Sequence, residues 1–162
     1  MKKVNLAALL IFVFILVLMC TIQAQTTNDT FQQAIKDINK TIELNPRNAA
    51  AYYNRGVAYE KLGNYQQAIK DYNKAMELNP RDAEIYYNRG VVYGKLGNDQ
   101  QAIKDYNKAI ELDPSDASAY GNRGVSYHNL GNDQQSIKDI KIAARLGHKK
   151  SQDFLKSQGI VW

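Results

Sequence analysis

Apolar and polar positions follow a helical period along most of this chain, and the pattern starts again every 34 residues. Apolar residues recur at three- and four-residue spacing, in stretches separated by Gly-Asn or Pro segments, which is typical of short helices joined by turns. The full pattern occurs at residues 49–82, 83–116 and 117–150, and residues 25–48 match only its second half. The sequence therefore predicts three helix pairs, preceded by a single helix at about residues 31–44.

The predicted helix ends are marked by residues that recur at the same period. A side-chain oxygen precedes each first helix, where it can accept a hydrogen bond from a free backbone N–H. These N-cap residues are Asn48, Asp82 and Asp116. Gly-Asn follows each first helix. The glycine can adopt the left-handed conformation that ends a helix. The asparagine, together with a Gln three residues later, can cap the start of the second helix. These pairs are Gly63-Asn64, Gly97-Asn98 and Gly131-Asn132. After the last helix pair, the sequence predicts a capping helix and tail at residues 151–162.

The first 24 residues have the order of a secretory signal peptide. A basic start at Lys2 and Lys3 precedes an apolar run, and the small residue Ala24 provides a cleavage site, so we predict Gln25 as the first mature residue. Two alternatives remain open. Residues 6–22 reach the lower limit of membrane-spanning length and could stay as an anchor, and Cys20 could carry a lipid. We expect an exported chain, periplasmic or secreted, or anchored to the membrane if cleavage does not occur.

Composition argues against several functional classes. The formal net charge of +5 falls to +3 (5 − 2) when Lys2 and Lys3 are removed, which is too small to indicate a nucleic-acid partner. Cys20 is the only cysteine, so the mature chain has no thiol chemistry. His128 and His148 have no acidic or cysteine partner at ligand spacing, and the glycines follow the repeat rather than a phosphate-binding loop. We therefore predict no enzyme activity, no metal site and no cofactor.

The recurring small and aromatic residues match a known pattern. In the first unit they are Tyr52, Gly56, Tyr59, Ala68, Tyr72 and Pro80, at the spacing W-x2-L-G-x2-Y…A-x3-F…P. The third unit departs from this pattern with Ser136 and Ile140. Over residues 31–157 the chain resembles the tetratricopeptide repeat family, and we expect an exported, bacterial member. The resemblance implies an all-α fold, a right-handed superhelical α-solenoid of antiparallel helix pairs in which neighbouring units stabilise one another.

An arginine recurs inside the apolar part of every first helix, at Arg55, Arg89 and Arg123. Each stands beside a glycine expected at a helix contact, and a buried charge needs a partner. Aspartates recur in the second helices and can accept two parallel hydrogen bonds from a guanidinium. They are Asp37, Asp71, Asp105 and Asp139. We predict a structural ladder in which each arginine reaches the preceding unit, as Arg55–Asp37, Arg89–Asp71 and Arg123–Asp105; pairing within a unit and a ligand-binding role are the alternatives.

The resemblance also implies a binding surface, because the first helices of this family line a concave groove that holds a peptide. The matching candidates are Tyr53, Asn54, Val57, Lys61, Tyr87, Asn88, Val91, Lys95, Asn122, Val125, His128 and Asn129. Some members clamp an acidic chaperone tail with groove lysines and asparagines. Tyr53 and Val57 stand where that clamp needs lysine and a second asparagine, which argues against this ligand. Gly121 indicates a groove that is wider or weaker at the third unit.

The expected function is a non-enzymatic interaction scaffold that binds a peptide segment of a protein partner in a groove lined by Tyr and Val with amide edges; within the first unit, Tyr53 and Asn54 are left to carry recognition. Two other hypotheses remain open. Tyr53 and Tyr87 could pack only on neighbouring helices, or the chain could be a structural or assembly protein that acts through its solenoid ends. In the last case the uncovered helix at residues 31–44 would support self-association, because an open apolar face can be a contact site; a frayed end of the array is the other interpretation of this face.

Overall fold

The computed structural model describes the backbone from Leu6 to Trp162, and side chains other than those of residues 6–12 and Cys20. The basic start at Lys2 and Lys3 and the lipidation of Cys20 lie outside what it describes. In this part of the chain eight α-helices follow one another, and no strand occurs. They are α1 (Leu6–Leu44), α2 (Ala49–Lys61), α3 (Tyr65–Leu78), α4 (Ala83–Lys95), α5 (Asp99–Leu112), α6 (Ala117–Asn129), α7 (Asp133–Arg145) and α8 (Lys149–Ser157).

Helix α1 differs from its prediction, because it runs without a break from Leu6 and does not begin near Phe31. No proline or glycine interrupts the sequence before that point. The hydroxyls of Thr26, Thr27 and Thr30 donate to carbonyls three or four residues earlier, so they continue the helix instead of capping a new one. The predicted cleavage site after Ala24 lies inside α1, and a search of the described helices finds none with the length and hydropathy of a membrane span.

The ends of the later helices follow the predicted capping chemistry. Asn48, Asp82 and Asp116 each accept a hydrogen bond from a backbone N–H of the helix that follows. The glycine after each first helix has a φ between +72° and +77°, a conformation that disfavours other residues. Among the second helices, Asn98 and Asn132 cap as expected, whereas the Asn64 side chain makes no capping hydrogen bond.

A glycine and a buried tyrosine form the contact between the two helices of a unit. The Tyr72 ring is 0% exposed, and a Cβ placed on Gly56 would lie 2.8 Å from it. Gly90 and Tyr106 repeat this contact in the second unit, also at 2.8 Å. The buried cluster around Tyr72 is completed by Ala68, Ala75, Ile85 and Val92. Because Ile85 and Val92 belong to α4, the core continues from one unit into the next, and the expected solenoid is confirmed.

The close approach at Gly90 predicts opposite effects for two alanine substitutions in α4. Gly90→Ala is expected to lower the free energy of unfolding by about 1–3 kcal/mol, because the new methyl overlaps the buried Tyr106 ring. Gly94→Ala should raise it by up to about 1 kcal/mol, since alanine favours helix and the nearest atom lies 3.8 Å away. Urea denaturation followed by circular dichroism measures both. Equal effects of the two substitutions would contradict the packing described here.

Candidate interaction groove

The three arginines form two-pronged ion pairs with aspartates of their own unit. Arg55 Nη2 lies 2.7 Å from Asp71 Oδ1, and its Nε donates to the other carboxylate oxygen at 2.7 Å. The same fork joins Arg89 to Asp105 and Arg123 to Asp139. Each arginine sits on the first helix of a unit and each aspartate on the second, so the ladder fastens the two helices of one pair. The carboxylates are buried, and the guanidinium groups of these three arginines are engaged by them.

The predicted register of this ladder was wrong. Asp37, expected to pair with Arg55, is exposed and is contacted by Gln33 and Lys40 of its own helix. The arginine reaches the preceding unit with its remaining nitrogen, but the partner there is an asparagine. Nη1 of Arg55, Arg89 and Arg123 donates to Oδ1 of Asn39, Asn73 and Asn107. One guanidinium thus binds two units, with the charged partner inside its own unit and a neutral one before it.

The sequence analysis missed these asparagines, although their regular recurrence could have indicated them. Asn39, Asn73 and Asn107 recur at the 34-residue period, two positions after the aspartates. At the corresponding place the last unit has Lys141. The position 34 residues after Arg123 is occupied by Ser157, so no arginine of a following unit faces Lys141. The donor and its acceptor therefore disappear together at the end of the array.

The surroundings of the ladder stabilise the charged form of its arginines. Burial alone would lower the pKa of Arg123, but the hydrogen bonds and negative charge of Asp139 outweigh it, so the pKa rises. For Arg55 the hydrogen bonds to Asp71 are the largest cause of a raised pKa. The Arg123 guanidinium also lies 5.4 Å from the centre of the Tyr120 ring, a distance suited to a cation–π contact.

The two groove tyrosines contact both their own unit and the next one. Tyr53 lies over Tyr72 with ring centres 6.0 Å apart, and its hydroxyl donates to Glu84 at 2.7 Å and accepts from Asn88 at 2.8 Å. Burial, followed by the hydrogen bond to Glu84, raises the pKa of Tyr53. Tyr53 is therefore a link between units, with only part of its ring left at the surface.

Tyr87 repeats this arrangement one unit later. Its ring centre lies 6.0 Å from that of Tyr106, and its hydroxyl accepts from Asn122 at 3.1 Å. Burial is the main cause of a raised pKa at Tyr87. Asn88 and Asn122, which the sequence assigned to peptide recognition, thus use their amide groups to hold the tyrosine of the preceding unit.

Three more candidates are engaged in contacts of the solenoid. Lys95 Nζ lies 2.8 Å from Glu60 Oε1, and Glu60 is only 7% exposed because the Tyr72 hydroxyl also binds it. Asn129 donates to Asp99, and the exposed His128 contacts Asp133 at 2.6 Å. Val57 packs against the buried cluster around Tyr72. The groove candidates that remain free for a ligand are Asn54, Lys61, Val91 and Val125.

Two adjoining depressions run along the face that these residues share. The smaller, about 170 Å³, lies between α4 and α6 and includes Val91, Asn122 and Val125. The larger, about 530 Å³, lies between α6, α7 and α8 and again includes Asn122 and Val125. Val125 is 52% exposed on the ridge where they meet. The wider groove expected from Gly121 occurs at this end, and its walls include residues that the sequence did not single out for it, notably Ile140 and Phe154.

Comparison with protein families gives consistent matches to the repeat. The model described as "Tetratricopeptide repeat" matches residues 49–82 and 83–116, and a second model of that description matches residues 105–138. A model described as "TPR repeat" matches residues 30–63, which joins the end of α1 to α2. Comparison with curated protein sequences gives no match.

Solved structures are similar to this chain over most of its length. The crystal structure of MamA is 32% identical, with a TM-score of 0.70 over 75% of this chain and 71% of that one. The second TPR of Spaghetti (RPAP3), bound to the HSP90 peptide SRMEEVD, is 30% identical, with a TM-score of 0.60 over 60% of this chain and 91% of that one. The Arabidopsis OM64 TPR domain is 26% identical in sequence, with a TM-score of 0.63 over 68% of this chain and 95% of that chain. Together with the repeat geometry, these matches show that the chain belongs to the tetratricopeptide repeat family.

Proposed function

We propose that this chain is a non-enzymatic scaffold that binds an extended segment of a protein partner in the groove along α2, α4 and α6. The observation that supports this most directly is the continuous surface formed by the two depressions at Val91, Asn122 and Val125. Val125 is more than half exposed there although it is apolar. An apolar strip suits a segment with apolar side chains, because these side chains bury apolar area when they dock there.

The groove chemistry favours a different ligand from the acidic peptide bound to the RPAP3 relative. Tyr53 and Val57 occupy places where a chaperone-tail clamp has polar groups, and the Tyr53 hydroxyl is already bound by Glu84 and Asn88. Lys95, which could attract a carboxylate, forms an ion pair with Glu60. We therefore expect a partner segment recognised by apolar contacts rather than by a terminal carboxylate.

Photo-crosslinking from two matched positions tests the groove. With p-benzoyl-phenylalanine in place of Val125, we expect a crosslink to a partner in the cells that produce the chain. With the same residue in place of Gln134, an exposed position on α7, we expect none. The crosslinked partner, once identified and purified, should bind wild-type chain and lose affinity for Val125→Glu but not for Gln134→Glu. Equal crosslinking or equal binding for the two positions would contradict the proposal.

A second candidate function is assembly through the N-terminal end of the solenoid. The apolar side chains from Val13 to Met19 are exposed on α1, and a depression of about 630 Å³ separates this helix from Lys61 and Leu62. A chain that keeps the exposed apolar part of α1 would use it to associate with a second copy or a membrane, whereas export with cleavage after Ala24 would remove that part. Sedimentation of the full chain and of a chain beginning at Gln25 distinguishes the two, because assembly through α1 requires self-association of the longer form only.

A further inference from the structure

The third unit lacks both tyrosines of the stack that fills the first two. Tyr53 and Tyr87 are replaced by Gly121, and Tyr72 and Tyr106 by Ile140. In the earlier units each outer tyrosine lies over a buried one with ring centres 6.0 Å apart. Two aromatic rings are thus lost from a site whose backbone is kept.

The loss leaves a cavity rather than a collapsed contact. Its volume is about 530 Å³, within the usual range of ligand sites of roughly 300–1,000 Å³. The wall is mainly apolar and includes Gly121, Val125, Ile137, Ile140, His148 and Phe154. On the capping helix α8, Leu155 is 0% exposed, whereas its neighbour Phe154 is 43% exposed. Phe154 therefore presents an aromatic surface at the cavity wall.

We propose that this cavity binds an aromatic side chain, tyrosine or phenylalanine, of the partner segment. The inference rests on the proposed function, because it names the residue that the groove recognises at its C-terminal end. The first two units show which group fits: in each, a tyrosine ring covers the equivalent floor and contacts the next unit.

The polar positions at the rim suit the hydroxyl end of such a ring. The exposed Asp133 and Lys150 belong to the wall of the cavity. A carboxylate can accept a hydrogen bond from a phenol hydroxyl, and an ammonium group can donate one to the phenol oxygen. An aliphatic side chain would fill less of the cavity and could make neither aromatic contact with Phe154 nor a hydrogen bond at the rim.

His148 shows why the chain does not fill the cavity itself. Its ring lies 2.9 Å from the place where a Cβ on Gly121 would be, and its Nδ1 contacts Ser151 Oγ at 2.7 Å. The imidazole therefore occupies the root of the missing side chain and leaves the outer part of the space open. A side chain that enters from the groove reaches this outer part without needing a Cβ at Gly121.

A titration with amino-acid amides tests the inference. The probes are N-acetyl-tyrosinamide and, as the matched aliphatic control, N-acetyl-leucinamide, added to the full chain labelled with ¹⁵N. We expect saturable shifts of the amide signals of Gly121, Asn122, Val125 and Ile140 with the tyrosine probe, and at least about tenfold weaker binding of the leucine probe. Absence of saturation, equal affinities, or shifts confined to other units would overturn the inference.

Two variants place the probe in the cavity. Ile140→Tyr restores the ring found at Tyr72 and Tyr106, and Gly124 leaves the same room for it as Gly56 and Gly90 do. It should weaken the tyrosine probe at least about tenfold. Phe154→Ala removes a half-exposed ring, keeps the fold, and should also weaken the probe. If both variants bind it as the wild type does, the cavity is not the site.

The outcome of the tyrosine-probe titration can be distinguished from the outcome of the crosslinking experiment that tests the groove. If the crosslinked partner binds through Val125 but the tyrosine probe does not bind, only the aromatic cavity is refuted. If the probe binds the cavity and no partner crosslinks at Val125, the groove proposal fails while the cavity remains a site for aromatic groups.

Discussion

Replacing Arg123 with methionine is expected to lower the free energy of unfolding by about 3–5 kcal/mol, one of the largest effects of any single substitution in this chain. The methionine retains much of the apolar stem but leaves the Asp139 carboxylate, which is 0% exposed, without its cation. It also removes the bond from Nη1 to Asn107 in the preceding unit, which measures 2.7 Å. A loss of this size is a large part of the roughly 5–15 kcal/mol that stabilises a typical domain.

Two further variants show whether the buried charge causes the loss. Arg145→Met changes an exposed arginine of α7 for which the described residues provide no ion pair, and it should alter the unfolding free energy by less than about 0.5 kcal/mol. Arg123→Met combined with Asp139→Asn should recover part of the stability, because the remaining amide carries no charge. Urea denaturation followed by circular dichroism measures all three. A small effect of Arg123→Met, or no recovery in the double variant, would refute the structural role of the ladder.

Replacing Tyr72 with alanine is the second substitution with a large expected effect, a loss of about 3–5 kcal/mol. The ring is 0% exposed and fills the space between Gly56, Tyr53 and the core residues of the next unit. Its removal creates a cavity and leaves Glu60 without the hydroxyl that donates to it at 3.1 Å. The same denaturation measurement gives the loss.

Tyr72→Phe separates the ring from its hydroxyl. It keeps the contact with Gly56 and removes only the hydrogen bond to Glu60, whose carboxylate still holds Lys95 at 2.8 Å. The expected loss is therefore about 1 kcal/mol, the usual contribution of one hydrogen bond. If phenylalanine were as damaging as alanine, the stability would come from the polar contact and the account of the ring as core would be wrong.

The fold could be predicted from the sequence because it depends on local and periodic signals. Asn48 and Gly63 mark helix ends by their own backbone and side-chain chemistry, and Tyr72 recurs with the glycine that it needs. The start of α1 could not be predicted in the same way. The repeat pattern ends near Phe31, but the segment before it contains no residue that stops a helix, so the helix continues beyond the repeat.

The site was less predictable, because its contacts join residues of different units. The aspartates on neighbouring second helices are identical in type, so a 34-residue period cannot tell Asp37 from Asp71 as the partner of Arg55. Whether Arg55 pairs with Asp37 or Asp71 depends on its contact with the preceding unit. There the Asn39 side-chain oxygen accepts the hydrogen bond from Arg55 Nη1, so no aspartate is needed at that place. The sequence likewise shows that Gly121 lacks a side chain, but only the packing of α8 shows that His148 fills part of the space.

The contact from each arginine to the preceding asparagine makes the two ends of the array differ from its interior. A copy of residues 83–116 inserted between units would bring both a donor for the asparagine before it and an acceptor for the arginine after it. The same copy joined after residue 150 would place its arginine opposite Lys141, a cation where every earlier junction has an amide oxygen. Added units are therefore tolerated in the interior of the array, whereas at its end the like charges of Lys141 and the added arginine oppose them.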